Sequence, residues 1–193
     1  MVILARTRHR WTAHGTDLEV VIRTVEEYDA IPILEIIDQI RAEGDTSVSE
    51  PGEPSASAGR TIEWIQQHRE NDRYLALVAT AEGEVIGLVH FENGALRRLA
   101  HKGTLGISVT REWRGRGVGR RLMERLIEWG RATDGVDKIA LAVLADNRRA
   151  IALYQSLGFR TEGRRPAEVR RAPGEYVDDI LMYIWVGDPA LVR

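Results

Sequence analysis

The sequence predicts a single α/β domain built on a mixed, mostly antiparallel sheet of six to seven strands, flanked by about four helices. Two observations support this fold class. Short runs of β-branched and apolar residues alternate with longer stretches whose apolar residues recur at helical spacing. The chain has 193 residues, 44% of them hydrophobic, which suits one core of ordinary size. The sequence shows neither an internal repeat nor a second domain.

Polar and glycine-containing segments divide the first half of the chain. Residues 1–15 are basic and contain only a four-residue apolar run, so we expect an N-terminal extension before a domain at 16–187. The expected elements are a strand at 17–25, a helix within 26–44, a polar loop at 45–59, a helix at 60–73, and a hairpin of strands at 74–80 and 85–93.

The second half of the chain alternates strands and helices. Leu105, Ile107 and Val109 alternate with smaller or polar residues, which indicates a strand at 102–110. Apolar residues repeat every four positions from Val118, which indicates a helix packed against the sheet. The remaining elements are a buried strand at 137–145, a helix at 146–158 capped by Asp146 or Asn147, strands at 159–163 and 175–186, and a tail at 188–193.

Composition narrows the classes of function. Lysine and arginine total 27 against 29 acidic residues, so the net charge of −2 gives no general attraction to nucleic acid. The absence of cysteine excludes disulfides, a thiol nucleophile and cysteine metal ligands. No apolar run reaches the roughly 18 to 20 residues that span a bilayer, and the five histidines show no metal-ligand spacing. We expect a cytoplasmic protein without a metal or a membrane partner.

A glycine-rich segment, RGRGVGR at 114–120, lies between a predicted strand and a predicted helix. It lacks the third glycine of a dinucleotide-binding motif, because position 120 is arginine, and it lacks the lysine of a P-loop. The first amides of a helix have no intrahelical acceptor and carry positive partial charge, so the segment suits a phosphate group. The alternative interpretation is a tight turn with solvated arginines.

Two segments resemble the coenzyme-binding segments of the GNAT family of N-acetyltransferases. Arg114-x-x-Gly117-x-Gly119 is similar to the family's acyl-CoA signature, and Asn-x-x-Ala-x-x-x-Tyr-x-x-x-Gly-Phe at 147–159 is similar to its second segment. The resemblance extends from about residue 19 to 186. It implies a sheet whose central parallel pair splays apart, acetyl-CoA as co-substrate, and the bacterial subgroup that acts on amino acids, antibiotics or other small amines.

The resemblance also assigns residues to the coenzyme. Backbone groups of the strand before the loop would pair with the pantetheine arm, and the loop amides with the Arg114 and Arg116 side chains would hold the diphosphate. Asn147 would contact the arm, or would only cap its helix. The complete set is Ile107, Ser108, Val109, Arg114, Gly115, Arg116, Gly117, Val118, Gly119, Arg120 and Asn147.

The resemblance assigns the chemistry to Tyr154, which would act near the thioester sulfur as a general acid for the departing thiolate. By its spacing alone, the same residue fits a core position on the apolar stripe of its helix. The sequence does not identify the general base, because Thr104 stands where related sequences often have glutamate. The alternatives are His90, Glu92, Glu53, Asp178, a water chain or bulk solvent.

The resemblance implies an enzyme that transfers acetyl from acetyl-CoA to a primary amine of a small molecule by direct attack on the thioester. The alternatives are a catalytically weak acyl-CoA sensor and an acetyltransferase acting on protein N-termini or lysines. We expect no nucleic-acid partner. The apolar segment 180–185 fits either a buried strand or a homodimer contact. Candidate walls of the acceptor site are Glu50, Glu53, Trp64, Arg97 and the turn at 170–175.

Overall fold

The computed structural model describes residues 8–44 and 47–191, which form one eight-stranded sheet and four α-helices. The strands are β1 (His9–Thr12), β2 (Glu19–Thr24), β3 (Leu75–Ala81), β4 (Glu84–Asn93), β5 (Lys102–Val109), β6 (Lys138–Leu144), β7 (Arg160–Ala172) and β8 (Glu175–Trp185). The helices are α1 (Ala30–Glu43), α2 (Ala58–Glu70), α3 (Val118–Ala132) and α4 (Arg148–Ser156). The predicted α/β class is confirmed.

The sheet order is β1-β2-β3-β4-β5-β6-β8-β7, and among these strands β5 and β6 form the one parallel pair. The sheet is therefore mixed and mostly antiparallel, as predicted. The apolar segment 180–185 lies within β8, which pairs with β6 on one side and β7 on the other. Because both edges of β8 are already paired, the buried-strand interpretation of this segment is the one that the structure supports.

The sheet has eight strands, one more than the upper number expected from the sequence. The additional strand, β1, lies in the segment expected to be an N-terminal extension, and it pairs antiparallel with β2. Trp11 of β1 stands opposite Val20 and packs against the core. Four residues are too few for an alternating pattern to stand out from a basic background. This strand is therefore recognisable only from its pairing.

β7 is also longer than the strand predicted at 159–163. It continues to Ala172, and its register against β8 shifts between Thr161 and Gly163 and again between Arg165 and Val169. Most of its side chains are exposed, so it lacks the apolar alternation that predicts a strand. Pairing with β8 forms this strand where local sequence gives little signal.

Alternate residues of the central strands build a core on each face of the sheet. On one face, Phe91 of β4 packs with the apolar stripe of α3, in which Leu122 is fully buried. On the other face, Val78 of β3 packs with Ile33 of α1 and Ile65 of α2. No helix in the described ranges is both long and apolar enough to cross a bilayer. The two cores hold the central strands between helical layers.

The parallel pair separates soon after it begins. β5 and β6 pair at three positions only, Lys102↔Lys138, Gly103↔Ile139 and Thr104↔Ala140. Each strand nevertheless stays paired on its outer side, β5 with β4 as far as Val109 and β6 with β8 as far as Leu144. The two strands therefore diverge as rigid parts of two half-sheets, which confirms the splayed pair.

Gly103 lies in the short segment where the parallel pair is closed. A Cβ at this position would stand 2.2 Å from the Glu92 carbonyl oxygen and 2.5 Å from the Phe91 ring, which is fully buried. We expect Gly103→Ala to lower the free energy of unfolding by about 1–3 kcal/mol in urea titrations, because the strand or ring must shift. Gly163→Ala is the control, since its Cβ meets Leu181 at an ordinary 3.8 Å. Equal losses in both variants would contradict this prediction.

Candidate active site

The divergence of β5 and β6 opens a cleft of about 1170 Å³. The predicted coenzyme residues that line it are Ile107, Ser108, Val109, Arg114, Gly115, Gly117, Gly119, Arg120 and Asn147, and Tyr154 lines it as well. Arg116 and Val118 do not. The Val118 side chain is fully buried in the core, and Arg116 stacks over the Trp113 ring. The structure thus brings most of the predicted site together around one opening.

Along the cleft, β5 has a strand partner on one side only. Its ladder with β4 continues to Gly87↔Val109, whereas its ladder with β6 ends at Thr104↔Ala140. Peptide groups of residues 105–109 that face the gap therefore have no strand partner from β6. Unpaired strand edges favour a ligand that carries amide groups of its own.

The glycine loop turns the chain into the N-terminus of α3. Gly115 and Gly117 have φ angles of 82° and 90°, in the left-handed region that favours glycine. Gly117 caps α3, so the amides of residues 118–120 lie in its first turn without intrahelical acceptors. The His14 amide donates to the Arg116 carbonyl oxygen at 3.2 Å, which braces the loop from the N-terminal side. The result is a fixed anion-binding helix end beside the gap.

The Arg114 side chain, which was expected at the diphosphate, lines the cleft and makes two contacts within the protein. Its Nε donates to the Val109 carbonyl oxygen at 2.9 Å, and its Nη1 donates to Glu43 Oε2 at 2.5 Å. Glu43 is the last residue of α1. The guanidinium therefore ties together the end of β5, the glycine loop and the end of α1.

We expect Glu43→Gln to lower the free energy of unfolding by about 1–3 kcal/mol, because it weakens a charged hydrogen bond at a largely buried site. The measurement is urea unfolding followed by far-UV circular dichroism. Asp38→Asn is the matched control, since Asp38 is exposed in its ion pair with Arg41; its expected change is within about 0.5 kcal/mol. A Glu43→Gln variant as stable as the wild type would contradict the role assigned to this pair.

Three other arginines border the mouth of the cleft. Arg120 is exposed and donates to Ser156 Oγ at 2.7 Å. Arg149 reaches the loop, with Nη2 3.2 Å from the place where a Cβ on Gly115 would stand. Arg121 also lines the cleft. The coenzyme set expected from the sequence omits Arg121 and Arg149, which the fold places in the lining together with Arg120.

The second predicted segment forms α4, and it combines a helix cap with a buried phenol. The Asn147 side chain accepts a hydrogen bond from the Ala150 amide at 3.1 Å, so this residue caps α4 while lining the cleft. Tyr154 is 7% exposed, packs beside Phe159, and makes no side-chain hydrogen bond to the described residues. Burial raises the pKa of Tyr154 to about 12, so its hydroxyl stays protonated at neutral pH.

The base candidates from the sequence lie away from this opening. His90 and Glu92 are outside the lining of the cleft and contact Trp64 and His68 of α2 instead. The Asp178 carboxylate accepts a hydrogen bond from the Ala167 amide at 2.6 Å and pairs with Arg164. The Ala167 bond is the larger cause of the lowered pKa of Asp178, and a lowered pKa makes the carboxylate a weaker base.

The next residue, Asp179, does line the cleft, although it was not among the bases expected from the sequence. It is 7% exposed and makes no side-chain hydrogen bond to the described residues. Burial, and secondly the charge of Glu168, raise the pKa of the Asp179 carboxyl. Strand neighbours point to opposite faces, so Asp178 and Asp179 have different surroundings although they are adjacent.

The wall beside Asp179 also differs from expectation. It includes Ile40 of α1, Ser47 and Val48 from the loop between α1 and α2, and Ala142 of β6. The predicted wall residues Glu50, Glu53, Trp64 and Arg97 are absent from the lining of the cleft. The N-terminal half thus supplies part of the lining, through small and apolar side chains.

A splayed parallel pair, a helix N-terminus at its mouth and a protonated tyrosine inside it define a transferase that binds an acyl coenzyme. The comparisons with other proteins agree. Residues 37–159 match the model of the Acetyltransferase (GNAT) family, and the chain belongs to this family. It is an acetyl-CoA-dependent N-acetyltransferase.

Individual relatives cover nearly the whole chain. The L-amino acid N-acetyltransferase AaaT of Escherichia coli (strain K12) is 33% identical over 164 residues, covering 85% of this chain and 96% of the relative. An acetyltransferase of the GNAT family from Streptococcus pneumoniae superposes with a TM-score of 0.82 at 24% identity, over 87% and 99% of the two chains. The yncA protein of Salmonella typhimurium, solved with its cofactor acetyl-CoA, superposes with a TM-score of 0.79 at 21% sequence identity. The match covers 90% of this chain and 98% of the yncA chain. These two structures share the fold.

Proposed function

We propose that this enzyme acetylates the primary amine of a small molecule, and that Asp179 binds and deprotonates that amine. The observation that carries the proposal is the buried Asp179 carboxylate in the same cleft as Tyr154. A carboxylate at such a place attracts an ammonium group and, because its pKa is raised, accepts a proton more readily than an ordinary aspartate.

Acetyl-CoA would enter from the side of the glycine loop. The first amides of α3, with Arg120 and Arg149, are suited to the diphosphate, and the unpaired edge of β5 is suited to the amides of the pantetheine arm. The arm would lie in the gap with its sulfur toward Tyr154. A peptide N–H near Val109 would hold the thioester carbonyl oxygen as charge develops on it.

The reaction would then use two proton carriers. An ammonium proton passes to Asp179 and on to solvent, and the neutral nitrogen attacks the thioester carbon. As the C–N bond forms and the C–S bond breaks, the Tyr154 hydroxyl donates its proton to the departing sulfur. The nitrogen releases its second proton as it becomes an amide, and that proton restores Tyr154. The products are an N-acetyl amide and coenzyme A with a free thiol.

The wall of the cleft indicates a compact acceptor. Val48 and Ile40 are apolar, Ala142 and Ser47 are small, and the acidic residues of the described lining are Asp179 and Glu124. Such a site suits an amine with a short or moderately apolar substituent. The relative from Escherichia coli is named for L-amino acids, which is consistent with this size.

The test is a coenzyme-release assay with amino acids, polyamines, aminoglycosides and an N-terminal peptide as acceptors. We expect saturable turnover with a small amine and little with the peptide. Preferred turnover of the peptide would overturn the small-molecule acceptor. Tight acetyl-CoA binding without transfer to any amine would favour the sensor alternative. Mass spectrometry of the product identifies the acetylated nitrogen in each case.

The proposed diphosphate site makes a separate prediction at Gly119, in the first turn of α3. We expect Gly119→Glu to weaken acetyl-CoA binding by about 100-fold in calorimetric titrations, because a carboxylate would stand beside the diphosphate; a penalty of about 2.7 kcal/mol corresponds to this factor. Ala132→Glu, at the exposed other end of the same helix, controls for the change of one charge unit. Equal weakening by both variants would argue against this position for the diphosphate.

A further inference from the structure

A second cluster of chemically capable side chains lies outside the coenzyme cleft, between α2 and β4. It consists of His68, His90 and Glu92, and one donor atom from each lies within 4.8 Å of the other two. His68 Nε2 is 3.4 Å from Glu92 Oε1, and His90 Nδ1 is 4.0 Å from the same oxygen. Neither nitrogen has a hydrogen-bond partner, although both are buried.

The hydrogen bonds around the cluster fix which atoms carry lone pairs. His68 Nδ1 lies 2.9 Å from the Trp64 carbonyl oxygen, which can only accept, so the proton of a neutral His68 sits on Nδ1. Nε2 is then a bare acceptor that faces the Glu92 carboxylate oxygen, another acceptor. His90 Nδ1 also faces this oxygen without a hydrogen-bond partner. Two buried ring nitrogens and a carboxylate thus converge on one point, an arrangement that a bound cation would satisfy.

We infer that His68, His90 and Glu92 form a binding site for a divalent transition metal of the zinc type. Two imidazoles and one carboxylate are a recognised ligand set for Zn²⁺, which leaves a fourth position for water. Tetrahedral ligands at zinc distances stand roughly 3.3 Å apart, close to the separation of His68 Nε2 and Glu92 Oε1. Two imidazole nitrogens disfavour Mg²⁺ and Ca²⁺, which prefer oxygen ligands.

The surroundings of the three side chains match those of metal ligands. His68 donates its other ring N–H to a backbone carbonyl, and the Trp64 indole N–H donates to Glu92 Oε1 at 2.9 Å. Such outer contacts orient ligands before a metal arrives. Gly106 lies beneath His90, where a Cβ would come within 2.3 Å of Nε2, so the ring rests on β5 with Nδ1 toward the cluster.

Access to the site is through Glu92. His68 has a side chain only 1% exposed, whereas that of Glu92 is 42% exposed. Glu92 also lines a cavity of about 240 Å³ beside Thr104. The expectation from the sequence that the protein holds no metal rests on the absence of local ligand spacing, because 68, 90 and 92 belong to two elements that only the fold brings together. The inference does not depend on the proposed acceptor.

The test is titration of EDTA-treated, dialysed protein with Co²⁺, whose visible absorption reports tetrahedral nitrogen and oxygen coordination, followed by competition with Zn²⁺. We expect one ion per chain and an affinity that falls at least 10- to 100-fold in Glu92→Gln and His68→Gln. His101→Gln, an exposed histidine outside the cluster, should bind as the wild type does.

No absorption band, or a band that Glu92→Gln leaves unchanged, would overturn the inference. If His68→Gln fails to fold, Co²⁺ binding by Glu92→Gln alone tests the inference, because Glu92 is partly exposed. Far-UV circular dichroism shows whether the Glu92→Gln variant is folded. Trp64→Phe gives a further check, because loss of the indole donor should weaken Co²⁺ binding by roughly tenfold. These readouts are independent of acetyl transfer, so an inactive enzyme would leave them interpretable.

Discussion

Tyr154→Phe is expected to lower kcat by about 100-fold or more, because a positioned general acid contributes roughly 10²- to 10⁴-fold. The substitution removes one oxygen from a buried ring and leaves its packing against Phe159 in place. The dissociation constant for acetyl-CoA should therefore stay within a factor of about three, while the chemical step slows. Steady-state coenzyme release at saturating acceptor, with calorimetry for the coenzyme, separates the two quantities.

The pH dependence of kcat adds a second readout for Tyr154. Burial disfavours the phenolate and raises the pKa of Tyr154 to about 12, so the acid form persists through the alkaline range. The wild-type kcat at saturating amine should not fall between pH 8 and about 10. Tyr183→Phe is the control, because Tyr183 lies under Lys138 and outside the lining of the cleft. A Tyr154→Phe enzyme with wild-type kcat would remove the tyrosine from the mechanism.

Asp179→Asn is expected to lower kcat/KM for the amine by about 100-fold or more, through loss of both the ammonium contact and the proton acceptor. KM for the amine should rise as kcat falls, while acetyl-CoA binding stays unchanged. Asp178→Asn is the matched control, since the adjacent carboxylate is held in the β7–β8 hairpin by Ala167 and Arg164. Wild-type kcat/KM in Asp179→Asn for every acceptor would refute the proposed role.

The sign of the pH effect follows from the raised pKa of Asp179. The carboxylate is the active form, so wild-type activity is retained above that pKa and declines as pH falls through it. Because burial has moved the pKa upward, the decline begins at a higher pH than for an exposed aspartate. The residual activity of Asp179→Asn should instead rise steadily across this range, because without the carboxylate only the small fraction of neutral amine can react. Initial rates at saturating acetyl-CoA between pH 4 and 8 provide the comparison.

Local sequence patterns predicted the helices and the coenzyme motif well. The stripe that begins at Val118 and the segment from Asn147 to Tyr154 depend on helical spacing, which is a short-range property of the chain. The alternating glycines likewise mark a turn that the structure shows with positive φ angles at Gly115 and Gly117. Both features can be read within about fifteen residues, so no partner in space is needed to recognise them.

Strands and side-chain partners at long range were less predictable. β1 and the second half of β7 are ordered by pairing with β2 and β8, although neither has clear apolar alternation. The Arg114 guanidinium binds Glu43, which lies 71 positions earlier, and this contact was not expected from the sequence. A single sequence does not show which acidic residue such an arginine meets.

The sequence by itself predicted the fold class, and its resemblance to the N-acetyltransferases pointed to acetyl-CoA and to the tyrosine of α4, because the motifs that carry the resemblance are local. Tertiary structure alone decided which of Asp178 and Asp179 faces the cleft, and that His68 meets His90 and Glu92. The physical reason is the same in both cases. Side chains of a strand alternate between its two faces, and the surroundings of each face come from elements far away in the chain.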